Sequence, residues 1–192
     1  MPDDAPLLAV LGEHQRVGAI GPTTLEDAVA HSRRFVRVLP ASATSVVDLG
    51  SGGGLPGLVI AWDRPSLAVT LVDRREKRTD TLRRSATRLG WSGRVRVITA
   101  DVGVLGADPA HQRRYDVVTA RSFGPPASTL DGALVFARPG GTILISDPPA
   151  GSRWGDVVRE LGRSVVWHGG EDGIAVFTVP VSPGDVPRET DG

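Results

Sequence analysis

A doubly wound α/β domain, with a mostly parallel sheet ending in a C-terminal antiparallel hairpin, is the fold this sequence predicts. Three observations carry that expectation. Short apolar runs at 45–47, 67–72, 95–99, 115–120 and 142–146 alternate with stretches of helical spacing, the pattern of a parallel sheet covered by helices. The first run leads into residues 48–57, DLGSGGGLPG, where five glycines fall within eight positions and Pro56 stands where a helix can begin. Two further apolar runs, at 164–167 and 174–179, flank only 168–173, too short for a crossover helix and therefore a hairpin.

Taken in order, Leu7, Leu8, Val10 and Leu11 predict a short helix ending near Gly12, and 16–22 reads as a turn-rich connection. Thr23-x-x-Glu26 is a capping box. Leu25, Ala28, Val29, Phe35, Val36 and Leu39 then recur at mostly helical spacing up to Pro40. The first strand follows at 45–47. Residues 58–62 form a short helix that Pro65 bars from continuing. Strand two, 67–72, ends at Asp73, and 75–89 is a helix with a narrow stripe of Leu82, Ala86 and Leu89 closed by Gly90. Strand three, 95–99, ends at Asp101; 102–114 is loop with a helical turn; strand four, 115–120, ends at Arg121. Leu130, Ala133, Leu134 and Ala137 mark a further helix before strand five at 142–146. Trp154, Val157, Val158 and Leu161 fall at i, i+3, i+4 and i+7, with Ser152 as cap and Gly162 as stop. Strands at 164–167 and 174–179 complete one domain at 23–180, with 1–22 as an N-terminal extension and 181–192 as a flexible tail.

A chain of 192 residues suffices for one domain with a real core. It has no cysteine, which excludes disulfides, thiolate zinc sites and any cysteine nucleophile. The formal net charge is zero, so no global field draws it to nucleic acid. Lys77 is the one lysine among 22 basic residues, a bias that fits a GC-rich coding sequence better than selection for arginine at phosphates. His14, His31, His111 and His168 show no metal-ligand spacing, and the four tryptophans read as packing residues. No targeting segment is visible and no apolar run approaches the ~20 residues of a bilayer span. The expectation is a cytoplasmic monomer.

Ligands in such sheets lie at the carboxyl ends of the strands. The glycine turn after strand one removes the Cβ atoms that would hold a nucleotide-like ligand off the backbone at Gly50 and Gly52, and the helix start offers unpaired N–H groups. Gly52, Gly54 and Gly57 also match the G-x-G-x-x-G dinucleotide fingerprint. Asp48 separates the readings. It repels a pyrophosphate and attracts a cation such as the amino group and sulfonium of S-adenosylmethionine. NAD-type binding and a ligand-free turn remain the alternatives. Asp73, 25 positions after Asp48, is placed to accept from ribose hydroxyls, or else to pair with Arg74 or Arg75. Asp101 accepts from an adenine amine or caps a helix. Arg121 meets ligand or forms a structural salt bridge. The layout matches the class I methyltransferase variant of the Rossmann-like fold. Seven positive charges lie between Arg74 and Arg88; this helix is a solvated face or, with Arg33 and Arg34, a set of RNA phosphate contacts in which Arg83 and Arg84 take part.

These residues resemble the bacterial small-subunit (16S) ribosomal RNA guanine-N7 methyltransferases, also called glucose-inhibited division protein B. The likeness lies in residues 48–57 with their GLPG ending, in Arg78-Thr-Asp-Thr-Leu82, in Ala120-Arg-Ser-Phe123, in Arg138-Pro-Gly-Gly141, and upstream in Gly18-Ala-Ile-Gly-Pro22 and His31. The resemblance implies S-adenosyl-L-methionine as cofactor, ribosomal RNA or the small ribosomal subunit as partner, and cofactor contacts at Gly50, Leu55, Asp101, Val102 and Arg121. Arg121 is the residue expected to touch both cofactor and acceptor. The sequence departs from the family where Ser32-Arg33-Arg34 follows His31, and where Ser146-Asp147 replaces a Lys-Gly pair at the end of strand five. A guanine N7 already presents a lone pair, so the implied reaction needs no general base. A non-catalytic protein of the same fold and an NAD-dependent oxidoreductase are the rival functions.

Overall fold

The computed structural model describes residues 3–147 and 154–182. Helices α1 (Ala5–Arg16) and α2 (Leu25–Val38) precede a β/α alternation. This runs β1 (Ser45–Leu49), α3 (Gly57–Asp63), β2 (Ala68–Asp73), α4 (Glu76–Arg88), β3 (Val95–Thr99), α5 (Val102–Gly106), β4 (Tyr115–Ala120), α6 (Pro126–Phe136) and β5 (Ala137–Ser146). Helix α7 (Trp154–Leu161) and strands β6 (Val166–Glu171) and β7 (Ile174–Thr178) follow. The seven strands form one sheet in the order β3-β2-β1-β4-β5-β7-β6. Strands β1 to β5 pair in parallel, while β7 is antiparallel to both neighbours. The doubly wound sheet and its closing hairpin are as expected.

Alternation along β1 sorts the core into two layers. Val46 points to a cluster with Leu7, Leu11, Phe35, Leu58 and Leu82, from α1 to α4. Val47 and Leu49 point to the opposite cluster with Leu130, Phe136 and Trp154, from α6 and α7. The strands are buried on both faces, the order in which they are laid down reverses between β1 and β4, and all five parallel strands present their carboxyl ends at one edge. At the other edge Asp116 gathers the hydroxyls and amides of Thr44 and Ser45 and pairs with Arg138 at 2.6 Å. Burial opposes ionisation there, yet Arg138, Thr44 and Ser45 hold its carboxyl well below the ordinary carboxylate range.

Several boundaries differ from expectation, each for a physical reason. Helix α1 runs through Gly12 to Arg16 because His14 completes the buried stripe of Leu7, Val10 and Leu11. The His14 ring bonds the Gly53 carbonyl oxygen at 2.8 Å and the Ser85 hydroxyl at 2.7 Å, so a polar residue serves as a core anchor. The cap of α2 is Thr24 rather than Thr23; its hydroxyl accepts from the Asp27 amide at 3.1 Å. Ala137 belongs to β5, which begins five residues before the expected 142. Strand β6 continues to Glu171, leaving only Asp172 and Gly173, at φ 56° and 75°, as the hairpin turn. Asp-Gly at two left-handed positions is the type I′ signature. The expected cap Ser152 and the tail at 183–192 lie outside the described residues.

Arg33 also departs from expectation. Its guanidinium bonds both Asp4 oxygens at 2.7 and 2.8 Å and Asp63 at 2.9 Å, tying the start of α1 to α2 and α3. It is a structural clamp and not a free phosphate contact. Among the described residues no helix is long and apolar enough to cross a membrane.

Candidate active site

The carboxyl ends of β1, β2 and β4 build the site. After β1 the chain turns through Gly50, Gly52 and Gly54, at φ 68°, 55° and 88°, left-handed conformations that side chains disfavour. At Gly50 the space is needed as well, since a Cβ there would stand 2.5 Å from the Phe123 ring. Ser51 fastens the turn to β2: its amide donates to the Val72 carbonyl at 2.8 Å and its hydroxyl accepts from the Val72 amide at 3.1 Å. On the other side Ala19 and Ile20, in the connection after α1, close over Gly53. Together with His14 they hold the turn from the N-terminal side.

Asp73 sits at the end of β2, 4% exposed. Oδ2 accepts from the Gly52 amide at 2.9 Å and Oδ1 from the Arg75 amide at 2.9 Å, with Arg78 3.6 Å away. The backbone thus fixes this carboxylate while a lone pair of each oxygen stays available. Asp101 caps α5, accepting from the Gly103 amide at 2.8 Å. Asp73, Asp101, Val102 and Gly50 line one hollow of about 370 Å³. Gly50, Gly52, Leu55 and Arg121 line an adjoining one of about 410 Å³. Ser122 borders both, so the two form a continuous trough across the glycine turn.

Asp48 lies beneath this trough and lines neither hollow. Its Oδ1 accepts from the Thr119 hydroxyl at 2.7 Å, across the β1–β4 register. Its Oδ2 faces Gly57, without a partner of good hydrogen-bond geometry. Burial pushes the carboxyl up to about 6, against the pull of Thr119, Ser51, the Gly57 amide and the Arg121 charge. At neutral pH it remains mostly ionised. Arg121 follows β4, half-buried, with Nη1 enclosed and without a hydrogen-bond partner. Burial lowers its pKa from the ordinary arginine value, and the Asp48 charge works the other way. Among the described residues it forms no salt bridge with Asp101 or Asp147, the structural alternative weighed for it. An enclosed guanidinium nitrogen without a partner costs free energy, and the trough runs beside it.

Seven of the eight expected cofactor residues (Gly50, Gly52, Leu55, Asp73, Asp101, Val102 and Arg121) therefore meet in one trough, with Asp48 as a charge below it. Sequence reasoning missed Thr129, whose hydroxyl is buried on α6 without a partner; a threonine inside an apolar helix gives no pattern signal. On α4 part of the positive charge is taken up by local contacts. Arg83 is tied to Asp80 at 2.8 Å and Thr99 at 2.7 Å, Arg84 to Thr81, and Arg88 to Glu13. The cations of this helix region with neither an ion pair nor a side-chain hydrogen bond among the described residues are Arg74, Arg75 and Lys77, all exposed.

The fold and this trough define a protein with the class I methyltransferase fold. A solved methyltransferase from Geobacter sulfurreducens superposes with a TM-score of 0.65 at 17% identity, over 92% of this chain and 91% of that one. A family model described as rRNA small subunit methyltransferase G matches residues 17–147, and the chain belongs to that family. The ribosomal RNA small subunit methyltransferase G of Roseiflexus sp. (strain RS-1) is 36% identical over 146 residues, 76% of this chain and 59% of that protein. The protein of the same name from Kineococcus radiotolerans is 31% identical, over 94% of this chain and 73% of its own length. The chain thus spans about three fifths of the first relative.

Proposed function

We propose that this chain methylates N7 of a guanine in 16S ribosomal RNA with S-adenosylmethionine as donor. Membership of the family supports the reaction, and the observation that carries the site assignment is Arg121, a half-buried guanidinium that lines the trough over the glycine turn and whose enclosed Nη1 has no hydrogen-bond partner. When bound, S-adenosylmethionine supplies an electrophilic methyl group on a sulfonium centre. Its carboxylate is the anionic partner that Arg121 lacks, its ribose hydroxyls suit the oriented oxygens of Asp73, and its adenine end suits Asp101 and Val102. Asp48 places a negative charge below the cationic end. The chain's task is then positioning and electrostatics; with a free lone pair on N7, no residue has to remove a proton. Arg74 and Arg75, exposed at the trough, and Lys77, exposed on α4, supply phosphate contacts to RNA.

Asp73→Ala is expected to weaken binding of S-adenosylmethionine by ~1.5–3 kcal/mol, the range for hydrogen bonds to a charged group. Calorimetry on the two proteins, with NAD as the competing ligand, tests the reading. Binding of NAD with no response to S-adenosylmethionine would replace it with the dinucleotide alternative.

A further inference from the structure

A third hollow, of about 520 Å³, opens on the β4–β5 side of the trough, with His31, Phe123, Thr129 and Asp147 among its lining residues. Its size lies in the range that encloses a small ligand. Phe123 and Ser122 line both this hollow and the cofactor trough, so a ligand here presents one edge to the donor site. Asp147, the residue after β5, also lines the hollow, and the amide of Asp147 donates to the Gly173 carbonyl at 2.8 Å. Neighbouring strands lie ~4.8 Å apart, which sets Asp147 about two strand spacings from Asp48 along the β1-β4-β5 order.

We propose that this hollow is the acceptor pocket and that Asp147 and Thr129 select guanine in it, through the base's Watson–Crick edge. The proposal rests on the methyl-donor reading above. Guanine carries N7 on one edge and the N1–H and N2–H donors on the other, so turning N7 toward the trough turns two donors toward Asp147. A carboxylate accepts both, whereas adenine offers an acceptor at N1 and is repelled. Thr129 is 2% exposed and its hydroxyl has no partner; guanine O6 gives it an acceptor. His31 Nε2 is likewise enclosed without a partner. Burial, then the charges of Arg121 and Arg34, push this imidazole below its ordinary value and so favour its neutral form.

Charge adds a second argument. Methylation at N7 leaves the ring cationic and its N1–H more acidic, with no proton lost. A carboxylate on N1–H therefore holds the product-like ring more tightly than the starting base, and that difference accelerates a reaction. The aspartate standing where the family has lysine is on this account a base-reading residue. RNA phosphates are left to Arg74, Arg75 and Lys77.

The test uses the full chain saturated with S-adenosylhomocysteine and labelled single-stranded uridine hexamers carrying one guanine, adenine or inosine. The unaltered protein is expected to prefer guanine over adenine by about tenfold, the scale of one bidentate base contact. Inosine, which lacks the N2 amine, falls between. Asp147→Asn is expected to lose most of this preference. Thr129→Val is expected to weaken guanine and inosine alike, since both carry O6. Calorimetry should find S-adenosylhomocysteine affinity unchanged in both variants. Guanine preference that survives Asp147→Asn, or is absent from the unaltered protein, overturns the proposal. A chain that binds S-adenosylhomocysteine yet ignores base identity overturns this inference alone; one that does not bind it overturns the donor reading and this inference together.

Discussion

Exchanging Arg121 for lysine is expected to lower methyl transfer about tenfold or more, the equivalent of one charge-assisted contact worth roughly 1.5–3 kcal/mol, while the melting temperature hardly moves. The guanidinium has an enclosed Nη1 without a partner, so little folded-state bonding is lost with it. What lysine cannot supply is the planar fork that meets a carboxylate through two parallel N–H groups. Burial also penalises a lysine charge at this depth more readily, because its ammonium can give up the proton. Turnover and thermal melts on the same preparation check the point. Reduced stability with unchanged turnover per folded molecule would make Arg121 a structural residue.

The second large effect belongs to Asp48. Its carboxyl pKa rises from an ordinary 3.8 to about 6 on burial. A folded-state pKa above the unfolded one means that stability is fully present below about pH 4 and is lost as pH rises toward 6. On this bookkeeping the ionised group costs the fold as much as roughly 3 kcal/mol at neutral pH. Asp48→Asn keeps an oxygen for the Thr119 hydroxyl and removes the charge. It is expected to raise the melting temperature above pH 6 and to flatten the decline between pH 4 and 6. The Gly57 amide, which faces the second oxygen, offsets part of the gain. Donor affinity should fall in the same variant, because the negative charge under the sulfonium and amino group is gone. This pairing of stability lost with function kept is common at binding sites. A variant that melts lower, or binds S-adenosylmethionine as before, would contradict this role.

Much of this was legible in the chain because it is local. The alternation of Val46, Val47 and Leu49, the polar residues closing β2 and β4, and the glycines after Asp48 are short-range signals. They placed the strands, the edge that carries the site and most of its residues. The failures share a cause, since each depends on a partner far along the chain. His14 extends α1 because Gly53 and Ser85 receive its ring. Arg33 is a clamp because Asp4 and Asp63 flank it. Thr129 and His31 share a hollow only after α2, β4 and α6 converge on it. No spacing rule brings residues 98 positions apart together.

The most direct test of the methyl-transfer assignment is nucleoside mass spectrometry on 16S ribosomal RNA. Small ribosomal subunits lacking the modification are incubated with the protein and trideuteromethyl-labelled S-adenosylmethionine, then digested. The account predicts a labelled 7-methylguanosine that appears with the protein and is absent without it. Label in a different nucleoside, or no label with donor binding intact, would contradict it.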